Sequence, residues 1–195
     1  MRRSPKRALV FLAGALWILV PPPAGAFERD QIESGFQIGI GGGKAVDSHR
    51  PTRGVYLADV RLGRYGRPVE AGLLSGNPGW IVEAVPLISI GQEPRALGGG
   101  ISLLFRYVLR GRVVRPFLEL GLGCLWTDTD VPPGDSDFNF TPQGGIGVKH
   151  LWSPRWGVDA EARFHHISNN GMTERNLGFN SVVILLGLSY FPANR

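Results

Sequence analysis

Residues 155–191, RWGVDAEARFHHISNNGMTERNLGFNSVVILLGLSYF, hold the pattern that decides the fold. Trp156, Val158, Ala160, Ala162 and Phe164 alternate with Gly157, Asp159, Glu161, Arg163 and His165. Successive side chains of a strand point to opposite faces, so this segment reads as a β-strand with one apolar and one charged side. A polar Gly/Asn-rich stretch follows, and then Asn180, Val182, Ile184, Leu186 and Leu188 line one face of a second strand. The pair reads as a hairpin.

Working outward, the same alternation recurs along the chain. Eight segments read as strands, over residues 35–43, 54–64, 80–90, 100–109, 115–126, 138–152, 155–168 and 180–191. In the fourth, Ile101, Leu103, Phe105 and Tyr107 oppose Ser102, Leu104 and Arg106; in the fifth, Leu118, Leu120, Leu122 and Cys124 oppose Phe117, Glu119, Gly121 and Gly123. In the sixth, Phe138, Phe140, Ile146 and Val148 oppose Asn139, Thr141, Gln143 and Lys149. A soluble barrel or sandwich would turn the apolar faces inward. A membrane barrel reverses them, with apolar side chains against lipid and polar ones filling the lumen. Trp80, Tyr107, Trp126, Phe138, Trp152, Trp156 and Tyr190 lie on apolar faces near strand ends, which suits the aromatic girdles of a membrane barrel.

The membrane reading is therefore an all-β chain, an eight-stranded antiparallel transmembrane β-barrel with a filled polar lumen. Asp59, Glu83, Glu119, Asp159 and Glu161 would face Arg61, Arg106, Lys149 and Arg163 inside it. Eight strands leave room only for side chains, so ion pairs and hydrogen bonds, not a pore, are expected there. An Arg or Lys on the lipid side at mid-membrane would cost roughly 2–4 kcal/mol, which accounts for the segregation.

Residues 1–26 form a separate object. Arg2, Arg3, Lys6 and Arg7 precede an apolar run at residues 8–20, and the segment ends in Ala24-Gly25-Ala26. This is the plan of a secretory signal peptide, with cleavage expected before Phe27 and residues 27–195 forming the barrel. Thirteen apolar residues are too few for a spanning helix. The four signal cations, subtracted from the net charge of +5, leave the remainder near +1, so the basic pI carries no argument for nucleic acid. Cys124 is the sole cysteine, which excludes an intrachain disulfide. No metal-ligand spacing or phosphate-binding glycine motif is present, and no cofactor is expected.

Strand parity with both termini in the periplasm puts the connection at residues 169–179 on the outer side. His166 and Ser168 continue the outward face of Phe164, and Asn180 starts the outward face of the next strand. Polar groups on a lipid-facing wall are costly and point to use. A serine hydroxyl becomes a nucleophile when an imidazole takes its proton, and the imidazole needs an acceptor on its other nitrogen. Asn180 could be that acceptor, while Asn169, Asn176 and the backbone near Gly171 could face an oxyanion. A plain Asn/Gly-rich hairpin turn in the headgroup zone is the competing reading. Glu174, in the same loop, is a weaker candidate than Asn180 for the third position, and His165 faces the lumen.

The segment RFHHISNNGMTERNLGFNSVVILLGLSYF resembles the PagL-type lipid A 3-O-deacylases, with weaker likeness in RPFLELGLG and FNFTPQGGIGVKHLWSPRW. The resemblance implies an outer-membrane serine esterase that removes an ester-linked 3-hydroxyacyl chain from lipid A of lipopolysaccharide. It implies His166 as general base, Ser168 as nucleophile, and Asn169, Gly171 and Asn176 around the oxyanion. Asn180 falls where the best-known members carry glutamate. Lys44, Arg50, Arg53, Arg95 and Arg175 of the outer loops could meet lipid A phosphates. A monomer or a homodimer would serve. The rivals are a non-catalytic structural or adhesive barrel that keeps the fold, and a soluble periplasmic ligand-binding barrel.

Overall fold

A computed structural model describes residues 31–46, 53–111 and 114–193. The expected export segment and Arg50 lie outside the described residues. Among the described residues nine strands are formed: β1 (Ile32–Ala45), β2 (Arg53–Tyr65), β3 (Gly76–Ile90), β4 (Ala96–Leu109), β5 (Val114–Thr127), β6 (Phe138–Phe140), β7 (Gln143–Leu151), β8 (Trp156–Ile167) and β9 (Phe179–Tyr190). Each pairs antiparallel with its neighbour, and β9 pairs with β1, so the sheet closes on itself. The result is an eight-stranded antiparallel barrel, because β6 and β7 are two pieces of one staircase along β5.

The break corrects the unbroken segment read at 138–152. Pro142 has no N–H to give to the ladder. Around it, Thr141 still exchanges both backbone bonds with Gly123, at 2.8 and 3.1 Å, so the register survives the gap. Strand β1 also starts three residues earlier than read, which brings Glu33 into the lumen.

The faces fall as the alternation predicts. Large apolar side chains such as Leu120 (69% exposed) and Ile146 (62%) stand on the outer wall, while Arg61, Arg106, Lys149 and Arg163 are at most 2% exposed. Arg163 binds Glu83 with two nitrogens at 2.7 and 2.9 Å and also reaches Glu119 at 2.8 Å and Glu161 at 2.7 Å. Arg106 binds Glu119 at 2.6 Å and lies 4.3 Å over the Phe117 ring. Lys149 joins Glu33 at 2.8 Å and Asp159 at 2.7 Å, and Arg61 completes that group through Asp159. Buried charges are tolerable when each is paired and hydrogen-bonded. Among the described lumen charges Asp59 is the exception, with both carboxylate oxygens lacking a hydrogen-bond partner, beside a cavity of about 20 Å³.

The polar filling does not run the full height. Val55, Leu57, Ile88, Ile90, Leu125, Val183 and Leu185 form an apolar plug at the end carrying Ile167 and Phe179. Tyr65, Val108, Phe117, Leu151 and Phe191 form another at the end where β1 begins and β9 finishes. The charged layer lies between two apolar ones.

Candidate active site

Three polar residues sit on the outer wall where β8 and β9 reach the loops. Parity turns His166 and Asn180 outward, and the ladder register sets them directly opposite each other. The His166 Nδ1–H donates to Asn180 Oδ1 at 2.6 Å. With Nδ1 committed to that bond, Nε2 is the ring nitrogen left to exchange a proton with another group.

The backbone pins this corner from the other side. His166 N donates to Pro142 O at 3.0 Å, and Ser168 exchanges bonds with Phe140 at 2.8 and 3.1 Å. The proline break thus lets the β6–β7 staircase hold the end of β8. Ser168 is half-buried on the same face as His166, and no hydrogen bond joins its hydroxyl to the ring here. Gly178, at φ +61, lies against the imidazole: a Cβ there would come within 3.0 Å of His166 Cε1.

The loop after Ser168 has its own architecture. Asn170 and Gly171 both take positive φ, 55 and 79, and Met172 N donates to Asn169 O at 3.2 Å, closing a hairpin-type turn. Asn169 is fully buried. Its side-chain N–H groups donate to Asp135, to Thr173 Oγ1 and to Arg175 O, both of the latter at 2.6 Å, and its Oδ1 accepts from Gly171 N at 2.7 Å. Asp135, from the loop after β5, also accepts from Leu177 N at 2.9 Å. It ties two outer loops together.

The six residues read from the sequence therefore fall into two groups. His166, Ser168 and Asn180 share the outer wall. Asn169 and Gly171 are bonded to each other within the loop, and Asn176 is exposed on it. Glu174 is exposed and makes no contact with His166, which Asn180 occupies instead. His165 is buried in the lumen. Asp135 and Gly178 escaped sequence reading. One sits in a turn-type stretch with no sign of a distant partner, and the other is one glycine among 28.

One pleat below His166 and Asn180, Phe164 and Val182 border an outward trough of about 470 Å³. Leu118, Leu120 and Ile146 complete its apolar walls, and Gly144 leaves its floor open. Among the described residues no group of three or more His, Cys, Asp or Glu side chains is arranged to hold a metal ion.

Residues 38–189 match the family described as lipid A 3-O-deacylase (PagL). No match is found among curated proteins. Among solved structures the chain is similar to the outer membrane enzyme PagL, at 18% identity and a TM-score of 0.53, covering 77% of this chain and 97% of that one. It is similar to Neisserial surface protein A at 13% identity and a TM-score of 0.54, covering 82% and 96%. The outer membrane protein OprG from Pseudomonas aeruginosa matches at 12% identity and a TM-score of 0.50, covering 87% and 99%. At these identities the structural likenesses show the fold alone.

Proposed function

The chain belongs to the lipid A 3-O-deacylase family, and from that premise we propose that it is an outer-membrane serine esterase that cleaves the ester-linked 3-hydroxyacyl chain of lipid A. The observation that carries the reading is the 2.6 Å bond between His166 and Asn180 on a wall otherwise made for lipid. In the proposed step, His166 Nε2 takes the Ser168 hydroxyl proton as Oγ attacks the ester carbonyl. The tetrahedral intermediate collapses, the bond to the sugar oxygen breaks, and the imidazolium returns its proton to that oxygen. Water then attacks the acyl-serine with His166 again as base, releasing the hydroxy acid. Asn180 orients the ring and selects the tautomer, as an amide can, without countering the imidazolium charge.

Oxyanion stabilisation falls to the loop of Asn169, Gly171 and Asn176. Gly171 N would leave Asn169 Oδ1 to serve there, and Asn176 is open to solvent already. The trough beneath the site fits the acyl chain, which would lie along the barrel wall at the depth of its neighbours in the leaflet. Export by residues 1–26 and residence in the outer membrane belong to the same proposal, with lipopolysaccharide as substrate.

Mass spectrometry of lipid A from cells expressing the chain tests it. Loss of one hydroxyacyl group, abolished by Ser168→Ala, is the expected result; an unchanged spectrum, or equal loss with Ser168→Ala, overturns it. The amide at position 180 favours a second reading, a non-catalytic structural or adhesive barrel that keeps the family fold. Persistent inactivity of Asn180→Glu would support that reading.

A further inference from the structure

We propose that the turn between β2 and β3 is a foot that rests in the phospholipid leaflet at the terminal end of the barrel, with the lipid surface as its partner. By the strand parity that sets residues 169–179 outside, this even-to-odd connection lies on the periplasmic side, yet residues 66–75 are too many for a tight turn. They carry Leu73 wholly exposed, Leu74 66% exposed and Val69 44% exposed. Adjacent large apolar side chains with no protein cover call for an apolar partner.

The turn is built, not loose. Val69 and Gly76 exchange backbone bonds at 2.8 and 3.0 Å, and Ala71 N donates to Ser75 Oγ at 2.9 Å. Ser75 N closes the 3₁₀ turn Gly72–Leu74 on Gly72 O at 3.2 Å, and Arg110 N holds Ser75 O at 2.7 Å. The leucines are thus presented in a fixed direction.

That direction follows from Tyr107. It belongs to the outward column of β4 with Ile101, Leu103 and Phe105, and its hydroxyl donates to Leu74 O at 2.8 Å. The turn therefore folds along the lipid-facing wall and not beneath the barrel mouth. The Trp80 and Phe105 rings, 5.3 Å apart, stand a step deeper on the same side, as aromatic residues do at a membrane interface. Arg67 belongs to the turn, Arg64 to the end of β2 and Arg110 to the residue after β4, with Glu70 the single acid of residues 66–75, bonded to Arg110 at 2.6 and 3.0 Å. Arginines in the turn and beside it, next to an apolar tip, match phosphate headgroups above acyl chains. The foot would fix how deep the barrel sits, and so the height of His166 and Asn180 in the opposite leaflet. It does not depend on the deacylase reading.

Spin labels decide the matter. Cys124→Ala removes the native thiol, and Leu73→Cys, Leu74→Cys and, as an outer-loop reference, Asp130→Cys are labelled in the folded barrel in phosphatidylethanolamine–phosphatidylglycerol vesicles. Collisions with oxygen, which concentrates in lipid, should exceed those with a water-soluble nickel chelate at 73 and 74, with the reverse at 130. Nickel dominance at 73 overturns the proposal, and so does shielding from both reagents, the mark of a second copy or another protein on the foot. With Leu73→Asp and Leu74→Asp together and the label at Val69→Cys, the balance should shift from oxygen to nickel; no shift also overturns it.

Discussion

The lumen and the outer wall both hold polar side chains in apolar surroundings, and they treat them in opposite ways. Inside, Arg163 alone meets three carboxylates, and nearly every charge has a partner on another strand. On the wall, His166 has a single side-chain partner and keeps one ring nitrogen for something else. Saturated groups lock a structure, while a group with one committed bond and one open one can do chemistry. The contrast separates a polar cluster that holds the barrel shut from one that can act.

Removing the open group has the largest expected effect. Ser168→Ala should lower deacylation by roughly 10⁶-fold, as loss of a serine nucleophile does elsewhere, while the barrel keeps its heat-modifiable mobility on a gel. A mutant that also fails to fold would move Ser168 to the locking class. Arg163→Met makes the complementary cut. It strands Glu83 and takes one of two arginine partners from Glu119 and Glu161, which keep Arg106, and should cost about 3–5 kcal/mol, read as a lower urea midpoint in detergent micelles, with the wall site unchanged in the remaining folded protein.

Asn180→Glu sharpens the wall side. A carboxylate would accept the same Nδ1–H and also counter the imidazolium, so deacylation should rise, by about tenfold or more given what such charges contribute. Lipid A mass spectra over time give the rate. Gly144→Val raises the floor of the trough, and its Cβ would meet Leu120 Cδ2 at 2.9 Å. Turnover of a long acyl chain should fall by about tenfold relative to a short one, the scale of discrimination in apolar pockets.

The smallest effect belongs to a third kind of pair, exposed at the terminal end. Arg110 holds the Glu70 carboxyl below the usual carboxylate range by hydrogen bond and charge. Its contribution is present above the unfolded carboxylate pKa and fades as pH falls through the lowered value. Glu70→Gln should remove that acid dependence and leave neutral-pH stability nearly unchanged, since water screens exposed pairs. Unfolding midpoints at neutral and acid pH check it.

The fold was legible because its signal is local. A period of two needs only neighbours, so the inward charges Asp59, Glu83, Glu119, Asp159, Glu161, Arg61, Arg106, Lys149 and Arg163 could be named from the alternation, and all are buried. Glu33 was missed because the first strand begins before its alternation is clear. The apolar plugs were missed because inward Leu or Ile at a strand end looks no different from any other apolar residue.

At the site, local alternation alone assigns His166, Ser168 and Asn180 to one face, since side-chain direction follows from position along a strand. The tertiary structure decided the rest. The register that sets His166 against Asn180, the bond from Asp135 to a loop 34 residues on, and the space that Gly178 leaves for the imidazole all depend on non-local pairing. Such contacts form only when the strands meet, and no single stretch of chain encodes them.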